Sequence, residues 1–221
     1  MSKKNCYALK KAENVMDYEK LSQEHFDRQA AEYDSRNTFY YSREGKISCR
    51  DIAQYLQNAE YSNLLDVGCG TGFLIDLLQK QRKAEYIGLD LSSKMIEVAQ
   101  SKNIPNATFI QGTANRLPFE DQAFDIVVCS QSFHHYPYQN EALQETLRVL
   151  RPRGLFILSD SGLGGFSAWF DNNILFKLLK SGDCYIQNRK SVEKQMKNAG
   201  FEIIDSRQLT WMIYTVVGRK N

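Results

Sequence analysis

The sequence is short of the features that mark specialised classes of protein. Its 221 residues include four prolines, and Pro105, Pro118, Pro137 and Pro152 all fall where loops are expected. No repeat or compositionally biased linker divides the chain, so its length reads as one enzyme-sized unit. The five cysteines, Cys6, Cys49, Cys69, Cys129 and Cys184, are odd in number and include no C-x-x-C pair. That spacing argues against a disulfide framework and a zinc knuckle; no metal site is expected, and a reducing compartment is. No run of about 18 apolar residues is present, so no membrane insertion is expected. The Lys-rich start, MSKKNCYALKKAENVMDYEK, lacks an apolar stretch of signal-peptide length, and a cytoplasmic protein is expected. Charge of either sign is nearly absent in sum: 28 Lys and Arg against 26 Asp and Glu give +2. Such a balance provides no positive field to draw in nucleic acid or anionic lipid.

What the chain does have is a change of rhythm along its length. Residues 1 to about 15 read as a frayed polar arm, whereas 17–34 carry apolar positions at helical spacing. A second helix is expected over 46–59, with Ile47, Ile52 and Leu56 on one face. From residue 63 short apolar runs alternate with amphipathic stretches, the pattern of strands joined by helical crossovers into a parallel sheet. Strands are expected at 63–67, 85–90, 107–112, 124–130 and 155–160. Helices are expected at 72–81, 93–102 and 140–150, the last closed by Arg151-Pro152-Arg153-Gly154. Residues 161–187 break the alternation with Gly162, Gly164 and Gly165 and a strongly apolar stretch, and read as an insert. A helix over 191–200 capped by Gly200, then two strands over 201–220 meeting near Ser206 to Gln208, complete the pattern. The chain thus divides into an N-terminal arm and helical cap, 1–45, and a main domain, 46–221, with a helical insert at about 161–187.

The strongest local signal is Asp66-Val67-Gly68-Cys69-Gly70-Thr71-Gly72, placed where a strand becomes a helix. Glycines there let the chain turn tightly and let a ligand lie against bare backbone, although a glycine-rich turn can also be structural alone. The pyrophosphate fingerprint G-x-G-x-x-G fails, because the sixth residue from Gly68 is Phe73, and the absence of Gly-Lys-Ser/Thr excludes a P-loop. Twenty-two residues after Gly68, Asp90 ends the next strand. A carboxylate at that point can accept from the vicinal hydroxyls of a ribose. The alternative is an aspartate that only caps the following helix, a task Ser92 or Ser93 can also do.

LLDVGCGTG, IGLDLS, the LPF and FDIVVCS pair and LRPRGLF, in this order and spacing, closely resemble class I S-adenosylmethionine-dependent methyltransferases. The resemblance is greatest to the small-molecule branch that includes ubiquinone and menaquinone biosynthesis methyltransferases, and covers about residues 24–160. It implies an α/β, Rossmann-like, seven-stranded and mostly parallel sheet with helices on both faces and a reversed C-terminal hairpin. It implies S-adenosyl-L-methionine as cofactor, with Gly68, Cys69, Gly70 and Gly72 along its methionine portion and Asp66 reaching the amino group through water. Asp90 would hold the ribose, Leu91 and Met95 would press on the adenine, and Ser130 would sit beside the transferred methyl. Tyr33 matches a family pattern in which the N-terminal helix folds over the cofactor; core packing is the other reading. Where the family usually has Gly-Asp-Ala, this chain has Gly112-Thr113-Ala114, so Thr113 offers a hydroxyl and Ala114 a backbone N–H.

For the acceptor, Ser130-Gln131-Ser132-Phe133 stands where amino-methylating DNA and glutamine methyltransferases carry Asn/Asp-Pro-Pro-Tyr, and no Pro-Cys dipeptide occurs. A small-molecule substrate is therefore expected, and nucleic acid is not. His134 and His135 follow directly, and an imidazole there can take a proton from an acceptor; the alternative is a packing or loop-capping role. The apolar insert, with Phe166, Trp169, Phe170 and Phe176, and the Phe39-Tyr40-Tyr41 run read as a roof over a substrate pocket. The insert reads equally as a homodimer contact or a helix packed on the core. The function expected is methyl transfer to a small molecule, the alternative a cofactor-binding protein of the same fold without transferase activity.

Overall fold

The computed structural model describes residues 18–34, 41–162 and 184–221. Its framework follows from short apolar segments, the central ones of which are buried on both faces. Strand β1 (Asn63–Val67) is buried along all but its first residue, and β2 (Glu85–Asp90), β3 (Ala107–Gln111), β4 (Phe124–Ser130) and β5 (Leu150–Ser161) pair beside it in parallel. Strands buried on both faces need helices on both. Alternate residues of β1 serve the two sides. Leu64 packs with Ile52 and Leu56 of α2 (Tyr41–Leu56), Ile75 and Leu78 of α3 (Phe73–Gln79), and Ile96 and Ala99 of α4 (Ser93–Ser101). Leu65 and Val67 pack with Leu143 and Val149 of α5 (Gln139–Val149) and Val192 and Met196 of α6 (Arg189–Ala199).

The sheet order is β3-β2-β1-β4-β5-β7-β6, with β6 (Phe201–Gln208) and β7 (Ile213–Lys220) forming an antiparallel hairpin. β7 inserts against β5, Ser159 opposite Thr215. The expected seven-stranded sheet with a reversed C-terminal hairpin is the sheet observed. Because the chain runs from β1 outward to β3 and then crosses back to β4, the order reverses between β1 and β4. A crevice opens at their carboxyl ends, the place where open α/β sheets hold ligands.

Three boundaries differ from the sequence reading. Helix α2 starts at Tyr41 and ends at Leu56. Arg151-Pro152-Arg153-Gly154 is not a turn between α5 and β5: Leu150 already pairs with Phe124, and the four residues form an irregularity before Ile126 pairs with Leu155. Arg153 takes a left-handed φ of 66°, and a Cβ on Gly154 would lie 2.9 Å from the carbonyl oxygens of Arg151 and Asp125. The hairpin turns after Gln208, at 209–212, because Thr210 Oγ1 accepts from the Met212 and Ile213 amides. Gly200 caps α6 as expected, at φ 114°. The arm 1–15, the Phe39-Tyr40 pair, the Tyr41 side chain and nearly all of the insert lie outside the described residues.

Helix α1 (Tyr18–Gln29), followed by a 3₁₀ turn at Ala30–Glu32, crosses the crevice. Two carboxylates fasten it. Asp27 accepts from Ser92 Oγ at 2.5 Å. Asp34 accepts from Thr71 Oγ1 at 2.6 Å and pairs with Lys102 at 2.6 Å, while Lys102 Nζ also donates to the Thr71 carbonyl at 2.7 Å. Among the described residues no helix is long and apolar enough to cross a membrane.

Candidate functional site

Beneath α1 lies a cavity of about 420 Å³, within the ~300–1,000 Å³ range of small-molecule sites. Its floor is the loop leaving β1. The amides of Gly68 and Cys69 both donate to the Leu89 carbonyl, at 2.7 and 3.1 Å, which folds the loop back over β2. Gly68, Gly70 and Gly72 have φ of 78°, 52° and 78°, the left-handed region in which a Cβ is strained. A Cβ on Gly68 would lie 2.0 Å from Ser132 Oγ, and one on Gly72 would meet the Phe109 ring at 2.8 Å. A Cβ on Gly70 would meet nothing within 4 Å. The first and third glycines therefore fit the protein, whereas Gly70 leaves bare backbone facing the cavity it lines.

Two carboxyl groups lie at this loop. Asp90 Oδ2 accepts from the Gly70 amide at 2.8 Å and Oδ1 from the Ser92 amide at 2.9 Å. Ser92, not Asp90, caps α4, its hydroxyl accepting from the Met95 amide at 3.1 Å. Burial raises the Asp90 carboxyl above the ordinary range, against the opposing pull of its backbone donors. Asp66 is 1% exposed, and its Oδ1 has no hydrogen-bond partner. Burial, and then the neighbouring Asp90, push it up to about 8. A buried carboxyl group without a donor is costly unless something supplies one.

The walls come from distant parts of the chain. Tyr33, Phe26 and Asp34 line the cavity from the cap, Leu91 and Met95 from the start of α4, and Gly112, Thr113, Ala114 and Asn115 from the turn after β3. Ser130, Gln131, Ser132 and His135 close the other end. Gln131 holds a φ of 53°; its Nε2 donates to Ser48 Oγ at 2.8 Å and its Oε1 accepts from Ser161 Oγ at 2.5 Å. Cys49 Sγ lies 3.5 Å from Ser130 Oγ, and burial pushes the Cys49 thiol up to about 12, which leaves it no thiolate character.

The adjacent histidines are treated differently by the fold. His135 lines the cavity, its ring edge-on to Phe26 at 4.9 Å between centroids. His134 is not among the lining residues; its Nδ1 lies 2.6 Å from Asp160 Oδ1 and its amide donates to Asp160 Oδ2 at 2.9 Å. Asp160 is 1% exposed. The His134 carbonyl accepts from the amides of Cys184 and Tyr185, at 3.0 and 3.1 Å, tying down the segment before α6.

With this geometry in place, the comparisons with known proteins are informative. The family described as a methyltransferase domain matches residues 65–158, spanning the glycine loop through β5. The ubiquinone/menaquinone biosynthesis C-methyltransferase UbiE of Campylobacter jejuni is 31% identical over 174 residues, 67% of this chain and 74% of that protein. The chain belongs to the class I S-adenosylmethionine-dependent methyltransferases. A fatty-acid O-methyltransferase of Mycolicibacterium smegmatis is 42% identical over 106 residues, 47% of this chain and 39% of that enzyme. Against several such curated relatives the chain spans less than half of their length. A solved S-adenosylmethionine-dependent methyltransferase of Aquifex aeolicus shares the fold, with a TM-score of 0.68, 17% identity, and coverage of 88% of this chain and 98% of that one.

Membership in this methyltransferase family implies S-adenosylmethionine as the cofactor, and the residues present fit it. The orphaned Asp66 oxygen suits a cationic donor, the bare face of Gly70 suits close approach, and the Asp90 carboxylate keeps lone pairs for hydroxyl donors. Of the residues expected from sequence, Tyr33, Asp66, Gly68, Cys69, Gly70, Asp90, Leu91, Met95, Thr113, Ala114, Ser130 and His135 all line this cavity. Gly72 and His134 are not in its lining: Gly72 begins α3 against Phe109, and His134 is turned to Asp160. The sequence reading passed over Asp34, Thr71, Lys102, Gln131 and Asn115. A signal existed only for Asn115, a polar amide two residues beyond the expected adenine contact.

Proposed function

We propose that the protein transfers a methyl group from S-adenosylmethionine to a small-molecule acceptor in the cytoplasm. The observation that carries this reading is the pairing of a half-buried Asp90 with the bare Gly70 backbone on the floor of the crevice. When bound, S-adenosylmethionine supplies a methyl group on a cationic sulfur that leaves with the bonding electron pair. Asp90 accepts from the ribose hydroxyls. Asp66 reaches the methionine amino group through water, and Gly68, Cys69 and Gly70 run alongside that portion. Leu91 and Met95 press on the base, and Thr113 and Ala114 meet its polar edge. Tyr33 and the rest of the cap exclude water from the site, so that much of the rate comes from alignment in a dry cavity.

Ser130 stands beside the methyl, and His135 takes the acceptor's proton where the acceptor carries one. His134 holds the loop through Asp160. Helix α1 and the turn after it act as the cap, and the sheet with its flanking helices as the transferase domain. Relatives named for a quinone-pathway C-methyltransferase and a fatty-acid O-methyltransferase support a small apolar acceptor. Near-neutral net charge counts against nucleic acid.

The second reading is a cofactor-binding protein without transfer, favoured by Thr113 in place of an acidic residue. Methyl-labelled S-adenosylmethionine incubated with a panel of quinols, phenols and fatty acids separates the two. Label in an extractable product supports transfer. Bound cofactor with no label in any product across the panel favours the second reading.

A further inference from the structure

Where β4 ends, the chain takes a conformation that the residue there does not favour. Gln131 follows Ser130 with a φ of 53°, in the left-handed region that glutamine seldom occupies. A side-chain-bearing residue stays there only when its surroundings fix it. Three contacts do so. The Gln131 backbone N–H donates to the Ser159 carbonyl at 2.8 Å, carrying the β4–β5 ladder one residue past Ser130. Its side-chain Nε2 donates to Ser48 Oγ of α2 at 2.8 Å, and its Oε1 accepts from Ser161 Oγ, at the end of β5, at 2.5 Å. Both serines are buried. One half-buried glutamine thus joins two strands and a helix through hydroxyls withdrawn from water.

The turn of α2 held in this way borders the site. Cys49, next to Ser48, lines the cavity, and its Sγ lies 3.5 Å from Ser130 Oγ, the residue given a place beside the methyl. Further along α2, Asp51 accepts from Arg207 Nη2 at 2.8 Å and from Thr215 Oγ1 at 2.7 Å, a second anchor made by residues outside the cavity lining. The groups given to the cofactor, Asp66, Gly70 and Asp90, lie instead on β1, β2 and the loop after β1. We infer that Gln131 is the positioning residue of the acceptor slot: its amide holds the Ser48–Cys49 turn of α2 against the end of β4 and fixes the gap in which the acceptor meets the methyl. The inference rests on the transfer reading above. A loosened wall leaves the cofactor in place but lets the acceptor sit out of line, and displacement loses rate steeply with a misplacement of about 1 Å.

Cys49 reports on this wall directly. The test is iodoacetamide labelling of the ligand-free protein, read cysteine by cysteine by mass spectrometry, in the unaltered chain, Gln131→Gly and Ser48→Ala. Gln131→Gly relieves the left-handed backbone while removing the amide; Ser48→Ala leaves residue 131 untouched and removes one of that amide's partners. In both, Cys49 is expected to label about ten-fold or more faster while the buried Cys69 and Cys129 do not change, since local opening frees one thiol and global unfolding frees all three. Affinity for S-adenosylhomocysteine is expected to stay within about three-fold. With whichever acceptor of the panel above gives product, kcat is expected to fall about ten-fold or more at an unchanged cofactor KM. Cys49 labelling that is unchanged, or that rises only together with Cys69 and Cys129, overturns the inference, as does faster Cys49 labelling with an unchanged kcat. If the unaltered protein binds no S-adenosylhomocysteine or labels no acceptor, the transfer reading itself fails and the positioning role falls with it.

Discussion

The Gly70 amide donates to Asp90 Oδ2 at 2.8 Å, so the glycine loop after β1 and the end of β2 form one unit. The two glycines nearest this bond differ in what they serve. Gly70→Ala places a methyl into the open cavity at the cost of a left-handed alanine, about 1 kcal/mol of stability. Binding of S-adenosylhomocysteine is expected to weaken about ten-fold or more. Gly68→Ala drives its methyl into Ser132 and destabilises the fold by about 2 to 4 kcal/mol. Urea unfolding beside calorimetry separates them; equal stability losses for both would refute the distinction.

The Asp66 carboxyl carries a pH signature. Burial raises it to about 8 in the folded protein, well above its unfolded value. Between those values the folded state binds the extra proton, so its contribution to stability is full at low pH and is lost as pH rises through about 8. The ligand-free protein is expected to lose thermal stability from about pH 5 to 8, and Asp66→Asn to flatten that slope. A cationic amino group favours the ionised form, so binding at pH 7 should release a proton. Calorimetry in two buffers of different ionisation enthalpy measures it, and buffer-independent heats would contradict the assignment.

The cap is fastened by partly exposed contacts, which contribute little to global stability. Asp34→Ala removes both the Thr71 and Lys102 links. Its unfolding free energy is expected to change by about 1 kcal/mol or less. Amide exchange across 18–34 should quicken, and bound S-adenosylhomocysteine should dissociate faster. An unchanged exchange rate in that segment would show that these contacts do not hold the cap.

The two histidines should separate cleanly. His134→Asn leaves the buried Asp160 carboxylate without its ring partner and should destabilise the fold by about 2 kcal/mol or more. His135→Ala should leave stability within about 1 kcal/mol and lower the single-turnover rate on an acceptor that must lose a proton. Loss of turnover in the folded His134 variant, with His135→Ala fully active, would reverse the assignment.

Sequence pattern was strongest where physics is local. β1, β2 and β4 stand at the expected residues because each is an apolar run bounded by turn-forming residues, and two-sided burial leaves no other use for it. Leu150–Gly154 was hidden because Arg-Pro-Arg-Gly has the composition of a turn; only pairing with Phe124 makes it strand. In the site, Gly70 and Asp90 were legible from one strand-loop-helix unit. The Asp34–Lys102 pair spans α1 to the end of α4, and the Gln131 amide bridges Ser48 and Ser161; neither juxtaposition has a periodic signature. His134 and His135 were indistinguishable as neighbours in sequence; that Asp160 draws in one ring is visible only in the fold.

Asp90 is proposed to hold S-adenosylmethionine in this cavity. Titration of the cofactor into the intact protein and into Asp90→Ala tests it most directly. One molecule is expected to bind per chain, with an affinity about ten-fold weaker or more in the variant, from the loss of one or two charge-assisted hydrogen bonds. No binding at millimolar cofactor, or equal affinity in both proteins, would contradict it.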